Sequence, residues 1–263
     1  VGRRLRAFRE AAGKTRGDVV TARICSRSKL EKLEFGQNPI RPGDVRELCL
    51  FYGVDPQTTN TLATLAHGST DPGWWEEYGA VIRPDFTLYL GLEADARTIC
   101  AFEPDLVHGL VQTEEYARAI ERVTPDPITA RDVERNVALR MQRQRAVFGS
   151  RRPPQLEIVL GEAALLKEWG PPRARVLQLA HLRGLARRGH VAVRVLPLAA
   201  GLTPTPLGGF SVLDFDDPAD PAVAYHETYD GAHYPEEPAT VARYRRRFAM
   251  TREKSVPIEE YAS

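Results

Sequence analysis

The stretch Thr15 to Gly36, TRGDVVTARICSRSKLEKLEFG, carries the pattern of two short helices joined by a sharp turn. Thr15 can start the first helix by accepting an orphan backbone N–H, with Asp18 three residues on as its reciprocal partner. Val19 and Val20 then give that helix an inward face. Ser26 is an N-cap for a second helix in which Leu30 and Leu33 point inward, while Ser28, Glu31 and Lys32 point away with Arg27 at the flank. Outward positions of this kind are where a recognition helix meets base edges and phosphates. Arg27, Ser28, Lys29 and Lys32 are therefore the candidate DNA contacts, against the plainer use of the same side chains as a solvated face.

Working outward, Leu5, Phe8 and Ala12 fall at helical spacing among Arg3, Arg4, Arg6 and Arg9, and Gly13 can close that helix in the left-handed conformation. On the other side, Gly36-Gln37-Asn38-Pro39 reads as a loop. Pro42 opens a helix with Val45, Leu48, Cys49 and Tyr52 on one face. Asp55-Pro56 marks another start, followed by Leu62, Leu65 and Ala66. The pattern predicts a five-helix domain over residues 1–67. Charge is uneven in the same sense: residues 1–70 hold 12 Lys and Arg against 7 Asp and Glu, while the rest holds 24 against 28. Only the N-terminal part has the electrostatics of a polyanion binder.

Residues 68–83 shift to turn formers around Trp74 and Trp75 and read as a packed linker, with interdomain packing and ligand contact as the two uses of the tryptophans. From 84 to 250 helices and strands mix. Thr98–Phe102, Leu156–Leu160, Val191–Leu196, Phe210–Phe215 and Ala222–Glu227 read as strands; Thr113–Val123, Thr129–Phe148, Pro172–Arg188 and Pro238–Met250 read as helices. The expected fold class is α+β, an all-α N-terminal domain followed by a mixed α/β domain with a small sheet, and 251–263 is expected to be a tail. No internal repeat is evident.

Three scattered cysteines, Cys25, Cys49 and Cys100, fit neither a disulfide framework nor a Cys-x-x-Cys metal site and point to a reducing cytoplasm. No apolar run approaches the ~20 residues that span a bilayer, and no apolar signal segment follows Val1-Gly2-Arg3-Arg4, so a protein neither exported nor membrane-bound is expected. The chain opens in helical pattern without an initiator Met, as a trimmed product or a fragment would.

Five runs carry a family resemblance: GWWEEYG at 73–79, LEADARTICAFEPDLVHGLVQTEEYARAI at 92–120, RMQRQR at 140–145, VAVRVLPLAAG at 191–201 and GGFSVLDFDDPADPAVAYHET at 208–228. Across nearly its whole length the chain resembles the XRE (phage-repressor-like) helix-turn-helix regulators common in actinobacteria, with their characteristic C-terminal domain. The resemblance implies a cytoplasmic, dimeric DNA-binding regulator. It also implies an antitoxin-like role with a small neighbour-encoded partner protein, and a C-terminal domain that senses a partner or a small molecule.

Two departures stand out. Where the family has a Leu, a Gly and an aliphatic residue at the turn, this chain has Arg23, Ile24 and Cys25. A β-branched residue in a left-handed position is an outlier, so a reshaped or shifted turn is expected. An Arg at a core-facing place would have to snorkel, and Gly17 inside the first helix costs a further ~1 kcal/mol relative to Ala. Second, His108, His226 and His233 stand where the family has Pro or apolar residues, and Glu103 or Glu227 could orient one of them for proton transfer or ligand binding. The spacing gives no warrant for a metal, and no nucleotide or other cofactor motif is present: Gly208-Gly209 precedes a strand rather than a phosphate-cradling helix. The arginines of 131–145 read as a solvated face, partly neutralised by Asp132 and Glu134.

These readings favour a sequence-specific regulator, non-enzymatic, binding operator DNA as a homodimer. The alternative is a regulator scaffold repurposed as an enzyme or small-molecule binding protein with a pocket in the C-terminal domain. A purely protein-binding, antitoxin-like module is the third.

Overall fold

The computed structural model describes residues 1–36, 40–68, 75, 78, 82, 84–123, 129–203, 208–216, 220–228 and 231–262. It divides into two compact units, Val1–Gly91 and Leu92–Ser263. Trp74 lies outside the described residues, as does most of the expected linker.

The first unit carries helices α1 (Gly2–Ala11), α2 (Arg16–Thr21), α3 (Arg27–Glu34), α4 (Pro42–Tyr52) and α5 (Pro56–Gly68); α6 (Pro84–Asp95), not anticipated from the sequence, runs across the division. Thr15 and Asp18 form the reciprocal capping box at α2, and Ser26 caps α3 by accepting from the Lys29 N–H. Leu5, Val19, Leu30, Leu33, Val45, Leu48 and Leu62 close into one core, with Ile24 and Cys25 packed against it. Val20 does not join them. It is 40% exposed, because a helix of six residues offers the core one apex and Val19 occupies it.

The turn between α2 and α3 is shifted by one residue from the family pattern. The left-handed position belongs to Arg23, at φ 60°, not to Ile24. The Arg23 N–H reaches the Val20 carbonyl at 2.9 Å and the Ile24 N–H reaches the Val19 carbonyl at 3.3 Å, which is the Schellman closure of a helix. The same pair of bonds closes α1 at Gly13 and α4 at Gly53. The shift follows from side-chain shape: an unbranched Arg bears the left-handed strain better than Ile, and Ile24 is left free to seal Val19. Arg23 points to solvent, so it buries no charge.

The second unit is built on a seven-stranded mixed sheet in the order β6-β5-β4-β1-β2-β3-β7. In chain order its elements are β1 (Ala96–Glu103), α7 (Glu114–Glu121), α8 (Ala130–Phe148), β2 (Gln155–Gly161), α9 (Ala163–Leu166), α10 (Pro172–Ala186), β3 (Val191–Leu196), β4 (Phe210–Phe215), β5 (Val223–Thr228), β6 (Gly231–His233), α11 (Pro238–Glu253) and β7 (Val256–Pro257). Strands β1, β2 and β3 are parallel, as their helical connections require, and the outer strands are antiparallel. Alternation sorts the side chains by face. Phe102, Val159, Phe210, Val212 and Ala224 pack with Val241 and Phe248 of α11, so Ile99, Ala101, Glu103 and their row-mates look to the opposite face.

The sheet is larger than the sequence suggested. Residues after 250 are not a tail: α11 continues to Glu253, β7 pairs with β3, and Ile258 and Tyr261 are buried. Arg183 holds this end by donating to the Tyr261 carbonyl at 2.7 Å. Among the described residues no helix is long and apolar enough to cross a membrane.

Candidate functional site

Polar groups gather at two places in the molecule, one in each unit. In the first, α3 is held from behind by charge as well as by leucines. Glu34, at its last turn and 1% exposed, receives the Arg9 guanidinium at 2.5 and 3.1 Å and the Arg16 Nε at 3.0 Å. Arg9 also donates to the Lys14 carbonyl. Its guanidinium is pushed above its already high value, first by the bond to Glu34. Two helices, α1 and α2, are thus tied to the C-terminal end of α3, and its opposite face is left in solvent.

On that face Arg27, Ser28 and Lys32 are exposed, and neither Arg27 nor Lys32 has an ion-pair partner among the described residues. Lys29 differs. Its ammonium donates to Asp44 in the first turn of α4 at 2.7 Å, so it ties α3 to α4. Glu31 faces the Arg16 guanidinium at 3.6 Å. The sequence reading missed Arg9, Arg16 and Glu34. The signal for Arg9 was present, since it lies four residues after Leu5 on the inward face of α1.

In the second unit the arginines of α8 are not a uniformly solvated face. Arg143, four residues after Leu139 and four before Val147, is drawn inward on their stripe and is 7% exposed. It meets the buried Glu93 through a two-pronged pair, both bonds 2.6 Å. Arg140 donates to Gln112 and Glu121 at 2.9 and 2.8 Å. Gln144 and Gln112 donate onward to the carbonyls of Gly109, Gln112 and Val107, fixing the segment that holds His108.

Glu103 borders this network without a hydrogen-bond donor among the described residues. Continuing the strand registers by one residue puts Glu103 opposite Gly209, and by two residues puts Gly209 opposite Glu227. The two carboxyl groups therefore flank a position with no side chain, roughly 10 Å apart at the backbone across two strand spacings. A Cβ on Gly209 would lie 2.8 Å from the Glu103 carboxyl and 3.0 Å from the Phe102 carbonyl, so glycine alone keeps the slot open. Glu227 accepts from the Tyr225 hydroxyl. Burial first, and the Glu227 charge second, push the Glu103 carboxyl up to about 8; the Arg143 charge opposes them. At neutral pH Glu103 is thus a neutral acid, able to donate as well as accept.

The three histidines do not converge. His226 and His233 stack at 4.9 Å on the α11 side of the sheet, beside Tyr244. Glu227, next to His226 along the strand, points to the other face and cannot orient it. His108 is buried, accepts from the Leu110 N–H at Nδ1, and is pushed down to about 3, by burial first and then by Arg143. It is a neutral structural acceptor. Trp75 is half-buried in the first unit. Among the described residues no group of three or more His, Cys, Asp or Glu side chains is placed to hold a metal ion.

Comparison with known families gives two matches. Residues 1–62 match a helix-turn-helix domain, and residues 86–262 match a domain of unknown function (DUF5753). No curated protein and no solved structure matches the chain.

Proposed function

Because the chain belongs to the DUF5753 family and carries a helix-turn-helix domain ahead of that region, we propose that it is a sequence-specific transcriptional regulator. In this reading α3 enters the major groove of operator DNA, and the C-terminal unit responds to a partner protein or a small ligand. The observation that carries the reading is α3 itself: it is tied behind by Glu34, and its open face carries Arg27 and Lys32, cations without an ion-pair partner among the described residues, beside Ser28. A homodimer would set two such helices one DNA turn, roughly 34 Å, apart on a palindrome. A small neighbour-encoded protein is the partner class that fits an antitoxin-like role.

Fluorescence anisotropy on the fragment upstream of its own gene, against a random duplex at two salt concentrations, tests this. Specific, salt-sensitive binding is expected. Arg27→Ala and Lys32→Ala should each weaken it and reduce the salt slope by about 0.9 if each neutralises one phosphate. Lys29→Ala should leave the slope unchanged, since its ammonium is held by Asp44. Equal affinity for both duplexes at every salt concentration would sink the proposal.

A second reading rests on Glu103. A half-buried acid without a donor, opposite Glu227 across a glycine slot, is a group set up to bind or protonate a small polar molecule. It favours a scaffold that binds a metabolite, or acts on one, in the C-terminal unit.

A further inference from the structure

A different cavity in the second unit is more fully built. It encloses about 330 Å³ between α9, α10 and the closing segment, and its walls are Leu165, Leu166, Trp169, Val176, Leu179 and Tyr261. The polar side chains behind it are occupied. Gln178 accepts from the Thr113 N–H at 2.7 Å and donates to the Val111 carbonyl at 2.8 Å, and the Tyr261 hydroxyl donates to Glu162 at 3.0 Å. Arg175 is the exception: half-buried in this apolar lining, it has neither a carboxylate nor a side-chain hydrogen bond among the described residues. The indole N–H of Trp169, whose ring is braced edge-on by Tyr116 at 4.6 Å, also has no acceptor there.

An apolar pocket whose lining includes donors without acceptors among the described residues selects an apolar body carrying an acceptor-only group. We propose that this pocket binds a small amphipathic monocarboxylate, its chain against Leu166, Val176 and Leu179 and its carboxylate on the Arg175 guanidinium. A cavity of about 330 Å³ is of the size that takes a small organic ligand, with room for a medium-chain acid. Guanidinium and carboxylate match as a planar fork, which a monocarboxylate satisfies with its one charged group. The proposal supplies a ligand class for the sensing half of the proposed function and rests on that reading only for its regulatory consequence.

The test is calorimetric titration of the full chain, without DNA, with sodium decanoate, decan-1-ol and decylammonium chloride, each below its micelle concentration. Decanoate should bind saturably at one site, at least tenfold tighter than decanol, and decylammonium should not bind. Arg175→Gln, a change at an unpaired side chain, should bring decanoate to the level of decanol with the circular dichroism unchanged, and Arg175→Lys should restore part of the preference. Val176→Trp, at an exposed wall position, should cut decanoate binding. Equal binding of the three probes, an unaffected Arg175→Gln or Val176→Trp variant, or no saturable binding would each overturn the assignment. Adding decanoate to the DNA titration then separates the two claims. Binding without any change in DNA affinity keeps the pocket and removes the sensing role, whereas no binding removes the pocket and leaves DNA recognition as it stood.

Discussion

In the N-terminal unit Glu34 is closed off from solvent and met by two arginines, whereas in the C-terminal unit Glu103 feels the charge of Arg143 and receives no bond from it. Both acids lie beside guanidinium charge, yet only Glu34 is bonded to it. Arg143 is taken by Glu93, and Arg140, one turn before it on α8, by Gln112 and Glu121. A completed pair fixes geometry, which is what a helix presented to a rigid duplex requires. The same residue types thus make a completed clamp in one unit and leave Glu103 without a donor among the described residues in the other.

The largest effect is expected where the pairing is complete. Glu34→Ala leaves Arg9 buried without its carboxylate and should cost about 3–5 kcal/mol of unfolding free energy in the N-terminal unit, read by urea denaturation. Replacing the pair by apolar residues of similar volume, Arg9→Met with Glu34→Leu, should recover most of that loss, because the penalty comes from the orphaned charge. If the double variant is as unstable as the single one, Glu34 acts by packing and the clamp is the wrong description.

A smaller effect, of opposite sign, is expected at Glu103. The unfolded chain releases this proton near 4.5, while the folded chain holds it to about 8. Between those values the folded state binds the extra proton, so stability is highest below 4.5 and declines as pH rises through 8. Glu103→Gln removes the titration. It should match the parent at about pH 4.5 and exceed it by up to a few kcal/mol at about pH 8.5, since each tenfold difference in proton affinity between the folded and unfolded chain is worth about 1.4 kcal/mol. Parallel pH–stability curves for the two proteins would mean that Glu103 has a donor in solution.

What the sequence disclosed follows the same division. Caps and inward faces are local, so Thr15, Ser26, Leu30 and Leu33 of the first unit and the helix starts at Thr113 and Thr129 of the second were legible from a few neighbours. Most strand bounds were legible for the same reason. The Arg9–Glu34 and Arg143–Glu93 pairs join residues 25 and 50 positions apart, and no periodicity announces such a partner. Glu103 was singled out for an association with histidines, and strand alternation sets it on the face of the sheet opposite His226. The Gly209 slot depends on the registers of two strand pairs at once. Its glycines were legible only as not being a phosphate loop. Arg175 gave no signal at all, because what distinguishes it is the absence of a partner in three dimensions.

The smallest effect concerns the turn that orients α3, where local strain competes with chain entropy. A residue with a side chain at φ 60° carries roughly 1–2 kcal/mol of steric cost, and glycine removes it while adding about 0.5–1 kcal/mol of freedom to the unfolded chain. Arg23→Gly should therefore stabilise the N-terminal unit by several tenths of a kcal/mol to about 1 kcal/mol. Arg23→Val should destabilise it by a comparable amount, since β-branching crowds the same conformation. The order Gly, Arg, Val in urea midpoint depends on position 23 being the left-handed residue. If Arg23→Val is neutral and Ile24→Gly stabilises instead, the turn in solution is the one the family pattern implies. Ile24 would then be released from Val19, and the seal that closes α2 onto the core would have to come from Cys25.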